Sequence, residues 1–281
     1  MDYEKLKNWS FEPVVKEYTQ EDTIHFARGF GAGLPGPLQQ EDVRFTQAES
    51  LQALPALAVA LADGEFWQQD PEAGLQWQKI VHAEESITVH RPLQSAGKLV
   101  VTRWIDEIYD RGAERGALML EREVLSDEQG ASVATIDVRT IALADGGFGG
   151  KKEPHQERTA IPERTPDAVL ELATPLDDGA IFRLPAVFDV ASNAAPGSPK
   201  TSMLRGLCSF GIACRAALKL ACNNQPERLR TLSVRYVGPM YTEEKVRVEL
   251  WNLDPGSAVF RMWAVERDAL ILNNCVIRFD S

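Results

Sequence analysis

The sequence predicts an α+β fold built twice over, each half a helix-forming stretch followed by a meander of antiparallel strands. Apolar and polar residues alternate in four consecutive segments in each half of the chain, the pattern of half-buried strands. Each set follows a stretch in which apolar residues return at helical spacing. Between the two sets lies Asp145 to Asp167 (DGGFGGKKEPHQERTAIPERTPD), rich in glycine, proline and charge, which reads as a linker long enough to cross a domain surface. The expected organisation is therefore a first unit at 1–144, a linker at 145–167 and a second unit at 168–281.

In the first half, Gln47 to Leu61 (QAESLQALPALAVAL) is apolar at helical spacing, and Pro55 delays the start of a long helix to its own position. From Trp77 to Ala144 come ESITVHRPL, GKLVVTRWIDEIYD, GALMLEREVL and ASVATIDVRTIAL, separated by turn-forming residues. In the second half, Gly206 to Asn223 (GLCSFGIACRAALKLACN) is apolar on most faces, so it is expected to be buried on nearly all sides. A sheet must wrap it. The strands TLSVRYVGPM, EKVRVELWNL, SAVFRMWAVERD and ALILNNCVIRF are placed to do so. The repeat is one of element order and not of sequence identity. Two sheets of this kind, each wrapped around a long helix, can run on into one continuous sheet, and that is the double hot-dog architecture.

The 281 residues suit two domains or one fused double domain with a sizeable core. Hydrophobic residues at 44% and charged residues at 25% fall in the ordinary globular range and give no reason to expect disorder. Acidic residues exceed basic ones by 41 to 30, and the net charge of -11 argues against nucleic acid as a partner. The start, MDYEKLKNWSFEP, has no apolar core of a secretory leader, and runs such as LPALAVALA are far short of a membrane span of ~20 residues. The final RFDS is no peroxisomal address, so a cytoplasmic protein is expected. Cys208, Cys214, Cys222 and Cys275 fit no metal framework and read as small core residues. His25, His82, His90 and His155 form no HxxxH or HExxH pattern, and neither a metal nor a cofactor is expected. The glycines of GFGAG (Gly29 to Gly33) have the wrong spacing for a dinucleotide loop and follow no apolar strand, so they are read as a turn. GGFGG (Gly146 to Gly150) lacks the GK[ST] of a phosphate loop.

Four strings carry a family likeness. GGFGG followed by IPERTPDAVLELATPLDDGAIFRL (Ile161 to Leu184) is similar to the segment joining the two halves in the MaoC-like (R)-specific enoyl-CoA hydratases of double hot-dog fold. LRGLCSFGIACRAAL (Leu204 to Leu218) looks like that family's LHGLCTFGFAARAV, with Arg205 where the family has His. SLQALPALAVALA and HRPLQSAGKL resemble its LQVLPTFAVVL and KPLPRAGKL. The likeness runs from about Glu17 to Phe279.

The departure lies at Phe182 to Ala195, where FRLPAVFDVASNAA stands against the family's YRLSGDxNPLHxDP. Without gaps, Val187 falls at the catalytic Asp and Ser192 at the catalytic His. In the family that pair activates a water for syn addition to the double bond of an enoyl thioester. Valine has no titratable group and serine titrates far too high to replace them. A small shift would bring Asp189 to the place of the missing carboxylate, and Ser192 is either a weak nucleophile candidate or a turn hydroxyl.

The resemblance further implies acyl-CoA contacts at His82 and Ala83, at Arg111, and at Gly206 and Tyr236, with Lys200 and Arg205 adding positive charge. Glycine at position 206 would let a thioester carbonyl approach the free N–H groups of a helix start. From the residues alone, His82 is equally a structural histidine, Tyr236 a strand aromatic on the helix, and Arg111 a solvated surface charge. The function implied is binding of an acyl-CoA or enoyl-CoA thioester in fatty acid metabolism by a lyase-type enoyl-CoA hydratase or 3-hydroxyacyl-CoA dehydratase, with weak or altered activity. A non-catalytic partner of an intact hydratase and a thioesterase using Asp189 are the alternatives. A homodimer is expected.

Overall fold

The computed structural model describes residues 1–175 and 203–280, so Val187, Asp189, Ser192 and Lys200 lie outside the described residues. The strands are β1 (Val14–Tyr18), β2 (Ile80–Val89), β3 (Gly97–Asp110), β4 (Ala117–Ser126), β5 (Ser132–Ala142), β6 (Ala168–Ala173), β7 (Leu229–Arg235), β8 (Lys245–Asn252), β9 (Ser257–Ala264) and β10 (Ala269–Phe279). The helices are α1 (Tyr3–Lys7), α2 (Gln20–Gly29), α3 (Val43–Thr46), α4 (Leu57–Ala62) and α5 (Gly206–Cys222).

Among the described residues all ten strands join one sheet in the order β1-β3-β4-β5-β2-β7-β10-β9-β8-β6, every neighbouring pair antiparallel. The left half of that order repeats in the right half, reversed about the β2·β7 seam. At the seam Glu84 faces Arg235 and Thr88 faces Thr231, which makes the sheet continuous. This is the double hot-dog arrangement that the order of elements predicts. Two strands were not anticipated, β1 and β6, and they occupy corresponding places at the two edges. Both are short, and an isolated run of five or six residues carries little periodicity.

The second half is filled by α5, whose 17 residues are apolar on nearly every side and mostly buried. It ends at Asn223, whose φ of 52° stops the helix while its N–H bonds to the Leu218 carbonyl. All four cysteines are buried and free. Burial raises the thiols of Cys208, Cys214, Cys222 and Cys275 to about 12, in keeping with core residues. The N-terminal segment lies on this helix. The Phe30 ring sits where a side chain at Gly211 would be, with an ideal Cβ there only 2.1 Å from Phe30 Cδ1. Arg215, 3% exposed, donates to the Phe30 carbonyl at 2.9 Å and to Asp42 Oδ2 at 2.5 Å. The same Asp42 oxygen accepts the Gly33 N–H at 3.0 Å. GFGAG is therefore a turn closing over a buried arginine, and Gly31 and Gly33 supply its positive φ values of 82° and 81°.

The first half differs from its prediction. The long helix expected from Pro55 is α4, six residues long and wholly buried. Pro55 blocks extension at its start, and the apolar run ends at Ala62, where Asp63 leaves helical geometry (φ -54°, ψ 118°). Beyond α4 the chain makes short 3₁₀ turns at Trp67–Gln69, Pro71–Ala73 and Trp77–Lys79. With α1 these turns cover the remainder of the inner sheet face through a separate cluster that includes Leu6, Ile105, Ile108 and Met119. Among the described residues no helix is long and apolar enough to cross a membrane.

Candidate active site

The alternation of β2 turns Ile87 and Val89 into the core, and Glu85 is in phase with them. In β4 the inward phase is Met119, Glu121, Glu123 and Leu125. Register places Glu121 and Glu85 on either side of Val138 of β5, and Arg103 of β3 opposite Glu123. Three carboxylates thus lie on the inner face beyond the end of α4, each 6% exposed or less.

Two of the three have conventional partners. Glu121 accepts from Trp67 Nε1 at 2.8 Å and from Gln68 Nε2 at 3.1 Å. Glu123 is ion-paired with Arg103, whose guanidinium also donates to the Ala62 carbonyl at 3.2 Å. Burial lifts the Glu123 carboxyl to about 7 against the opposing Arg103 charge, with Glu121 and Glu85 adding to the rise. Burial also raises Glu121, against its bond from Trp67.

Glu85 stands at the seam between the halves. A register shift between His82 and Glu84 brings the His82 Nε2 to 4.0 Å from Glu85 Oε2. Tyr236, just past β7, is tied across the seam by its N–H to the Ala83 carbonyl at 2.9 Å. Its Oη donates to Glu85 Oε2 at 2.7 Å and lies 3.2 Å from the Gly206 carbonyl oxygen. The His82 and Tyr236 rings stand 4.7 Å apart, tilted by 49°. Burial raises Glu85 to about 7, opposed by the Tyr236 bond and Arg205 and reinforced by Asp63. Burial against Tyr236 lowers His82 to about 4, so that the imidazole is neutral, although a third of its side chain is open. Burial and the Glu85 carboxylate push Tyr236 well above its ordinary value.

Gly206 begins α5 directly over this cluster. An ideal Cβ at Gly206 would lie 3.2 Å from the Tyr236 ring, so a side chain there would press on the tyrosine and require it to shift by a few tenths of an ångström. Among the described residues nothing accepts from the N–H groups of Gly206 and Leu207, whereas that of Cys208 bonds to the Arg205 carbonyl. These first-turn donors, at the positive end of a long helix, suit a carbonyl oxygen that gains negative charge. Arg205 does not add free charge here. Its Nη2 lies 2.7 Å from Asp63 Oδ2, so the two side chains form a paired rim over Glu85 and His82.

Arg111 lies apart from this cluster. It lines an open crevice of about 1180 Å³ with Arg115, Lys152, His155 and Arg158. Glu153 pairs with Arg111 at 3.5 Å, and Arg139 bridges Glu153 to Glu84 on the outer face of β2. The GGFGG glycines fold against the crevice wall, where Asp110 accepts the N–H groups of Gly112, Gly147 and Gly149 at 2.6 to 2.8 Å. The loop's amides are spent on a carboxylate, in line with its reading as no phosphate loop.

Of the residues singled out in sequence, His82, Ala83, Gly206 and Tyr236 come together, Arg205 rims them, and Arg111 sits in the crevice. Sequence reasoning passed over Glu85, Asp63, Arg103, Glu121 and Glu123. A signal for one of them was present: in ESITV Glu85 shares the phase of Ile87 and Val89, whereas in LEREVL the phase opposite Glu121 and Glu123 holds Leu120 and Val124 and hides their inward direction.

The fold and this site define a class of hot-dog hydratase or dehydratase, and comparison with known proteins agrees. Residues 17–142 match the MFE-2 hydratase 2 N-terminal domain. The chain is 30% identical over 262 residues to 3-hydroxyacyl-thioester dehydratase Y of Mycobacterium tuberculosis, covering 89% of this chain and 87% of that protein. It is 26% identical over 275 residues to the probable enoyl-CoA hydratase 2 of Dictyostelium discoideum, covering 93% and 90%. A crystal structure of a MaoC-like dehydratase from Phytophthora capsici superposes with a TM-score of 0.77 at 26% identity, covering 99% of this chain and 98% of that one. The chain belongs to the MaoC-like enoyl-CoA hydratase 2 / 3-hydroxyacyl-CoA dehydratase family.

Proposed function

We propose that this protein binds the CoA thioester of a trans-2-enoyl or 3-hydroxy acid and interconverts the two by adding or removing water. The observation that carries this reading is the meeting of Gly206, at the start of α5, with Tyr236 and a buried carboxylate. The N–H groups of such a helix start donate to the thioester oxygen, and the carboxylate beside it is a proton-transfer group. The crevice at Arg111, Arg115 and Lys152 offers cations to the phosphates of the CoA moiety. The relatives named above are hydratases and dehydratases, which favours this reading over a thioesterase or a non-catalytic partner subunit.

Purified protein is expected to hydrate trans-2-enoyl-CoA to the (R)-3-hydroxy product, more slowly than members that keep the Asp and His where the ungapped reading of this chain has Val187 and Ser192. Enoyl absorbance read against time, with chiral analysis of the product, measures this. Absence of turnover in both directions, with no calorimetric binding of butyryl-CoA, would end the proposal. The proposal includes a cytoplasmic homodimer whose protomer has its two units at 1–144 and 168–281. Light scattering showing only a 31.1 kDa species would remove the dimer.

A further inference from the structure

The geometry points to Glu85 as the group that takes and returns the proton during hydration, standing in for the carboxylate absent at Val187. This inference rests on the function proposed above and assigns its chemistry to a residue of the other half of the molecule.

The three buried glutamates differ in how their charge is satisfied. A carboxylate held for structure at such depth needs a cation or a full set of donors. Glu121 has two donors and Glu123 has Arg103. Glu85 has one neutral hydroxyl on Oε2 and a neutral imidazole at 4.0 Å, and among the described residues Oε1 makes no hydrogen bond. It is the least satisfied of the three and the one nearest the start of α5. Its surroundings also open outward, since His82, Arg205 and Asp63 are each about a third exposed (34%, 32% and 35%). The charged and titratable groups facing it are His82 on its own strand, Tyr236 past β7, Asp63 past α4, Arg205 before α5 and Glu123 on β4. Together they leave Glu85 near neutrality, able both to accept a proton and to give it back.

The step balances without any further reagent. The Glu85 carboxylate removes a proton from water as the water oxygen bonds to Cβ of the enoyl group. The π pair of the double bond moves onto Cα and the thioester oxygen, where the first-turn N–H groups of α5 stabilise the enolate. The proton held on Glu85 then passes to Cα on the same face, and the carboxylate is restored. Dehydration is the reverse. Tyr236 is a positioning residue, holding Oε2 so that Oε1 faces the reacting atoms.

The test compares the full-length protein with Glu85→Gln, Glu85→Asp, Tyr236→Phe and Asp189→Asn, reading kcat and KM for trans-2-enoyl-CoA across pH, butyryl-CoA affinity by calorimetry, and thermal melting. Glu85→Gln is expected to lower kcat by at least about 100-fold with butyryl-CoA affinity unchanged. Glu85→Asp should recover part of the loss. Tyr236→Phe removes a bond that holds the Glu85 carboxyl down, so the acidic limb of the kcat profile should move to higher pH, a shift that a merely structural role would not produce. Should Glu85→Gln fail to fold, that shift and the Glu85→Asp rate decide the matter. Wild-type kcat in folded Glu85→Gln overturns the inference while leaving the proposed function standing, and loss of kcat in Asp189→Asn alone would pass the role to Asp189. Wild-type protein that neither turns over nor binds CoA thioesters takes down the proposed function itself.

Discussion

In the second half of the sheet the strands present only apolar side chains to their helix: Leu232 and Val234 of β7, Cys275 and Ile277 of β10, Phe260 and Met262 of β9. The corresponding face of the first half carries Glu85, Glu121, Glu123 and Arg103. The topologies are the same, and the difference follows from helix length. The 17 residues of α5 cover their sheet, whereas the six of α4 leave the far part of theirs to be closed by short turns. Between the long helix and its sheet, packing alone fills the space, and the buried Arg215 of α5 turns instead to Asp42 in the N-terminal segment. Where the helix is short, there is room for buried polar groups, and the titratable cluster forms there. The candidate site then draws on both, taking its helix start from one half and its carboxylate from the other.

If that contrast is right, the second half should be sensitive to volume and to broken burial, and the first half to charge and pH. The largest effect is expected at Arg215, which lies on α5 and is as buried as its partner Asp42. Arg215→Met leaves the Asp42 carboxylate without its cation, and should cost about 3–5 kcal/mol of unfolding free energy. Urea unfolding measures it, and a loss below about 1 kcal/mol would mean that the GFGAG turn holds without the arginine.

Next comes Gly211→Ala, whose added methyl meets the Phe30 ring at 2.1 to 2.6 Å. Neither helix nor ring can yield freely, and overpacking of about 1–3 kcal/mol is expected despite alanine's better helix propensity. Phe30→Leu in the same protein should return part of the loss, because the two positions share one contact. Additive losses in the double variant would show that the strain is relieved elsewhere.

The same contrast explains what the sequence disclosed. The second half, β6 apart, was legible because α5 is apolar on nearly every side and the strands that wrap it alternate. Pro55 warned of a late helix start, and the stop at Ala62, where Asp63 leaves helical geometry, makes α4 far shorter than the long helix expected. Gly206 and Tyr236 were legible through resemblance. Glu85 was not, since a glutamate in a strand reads as solvent-facing unless its phase is checked against Ile87 and Val89. Asp63 and Arg205 are far apart in the chain, and no local pattern foretells their pairing.

The first half supplies the pH test through Glu123→Gln. The folded value of Glu123 is about 7 against an ordinary 4.5, so between these values the native protein holds a proton that the unfolded chain has released. Its contribution to stability therefore falls as pH rises from 4.5 to 7, is lost in full above 7, and has no such cost below 4.5. Relative to wild type, Glu123→Gln should gain roughly 1 kcal/mol per pH unit across that window. His82 slopes the other way but is common to both proteins and cancels in the difference. Carboxylates held low, such as Glu107 at about 2, act only below the window. A difference that does not change with pH would show that Arg103 keeps Glu123 ionised in the folded state.

The smallest effects are expected at the rim. Arg205 and Asp63 are each about a third exposed, so breaking their pair should cost at most about 1 kcal/mol and less at high salt. Their influence on Glu85 is more telling than their effect on stability, because it has opposite signs: Asp63 raises the Glu85 carboxyl and Arg205 lowers it. Asp63→Asn should thus move the acidic limb of the hydration profile to lower pH, and Arg205→Gln should move it to higher pH. Measured side by side, the two variants bracket wild type. If both move the limb the same way, or neither moves it, the group that titrates in turnover is not the carboxylate beneath this rim.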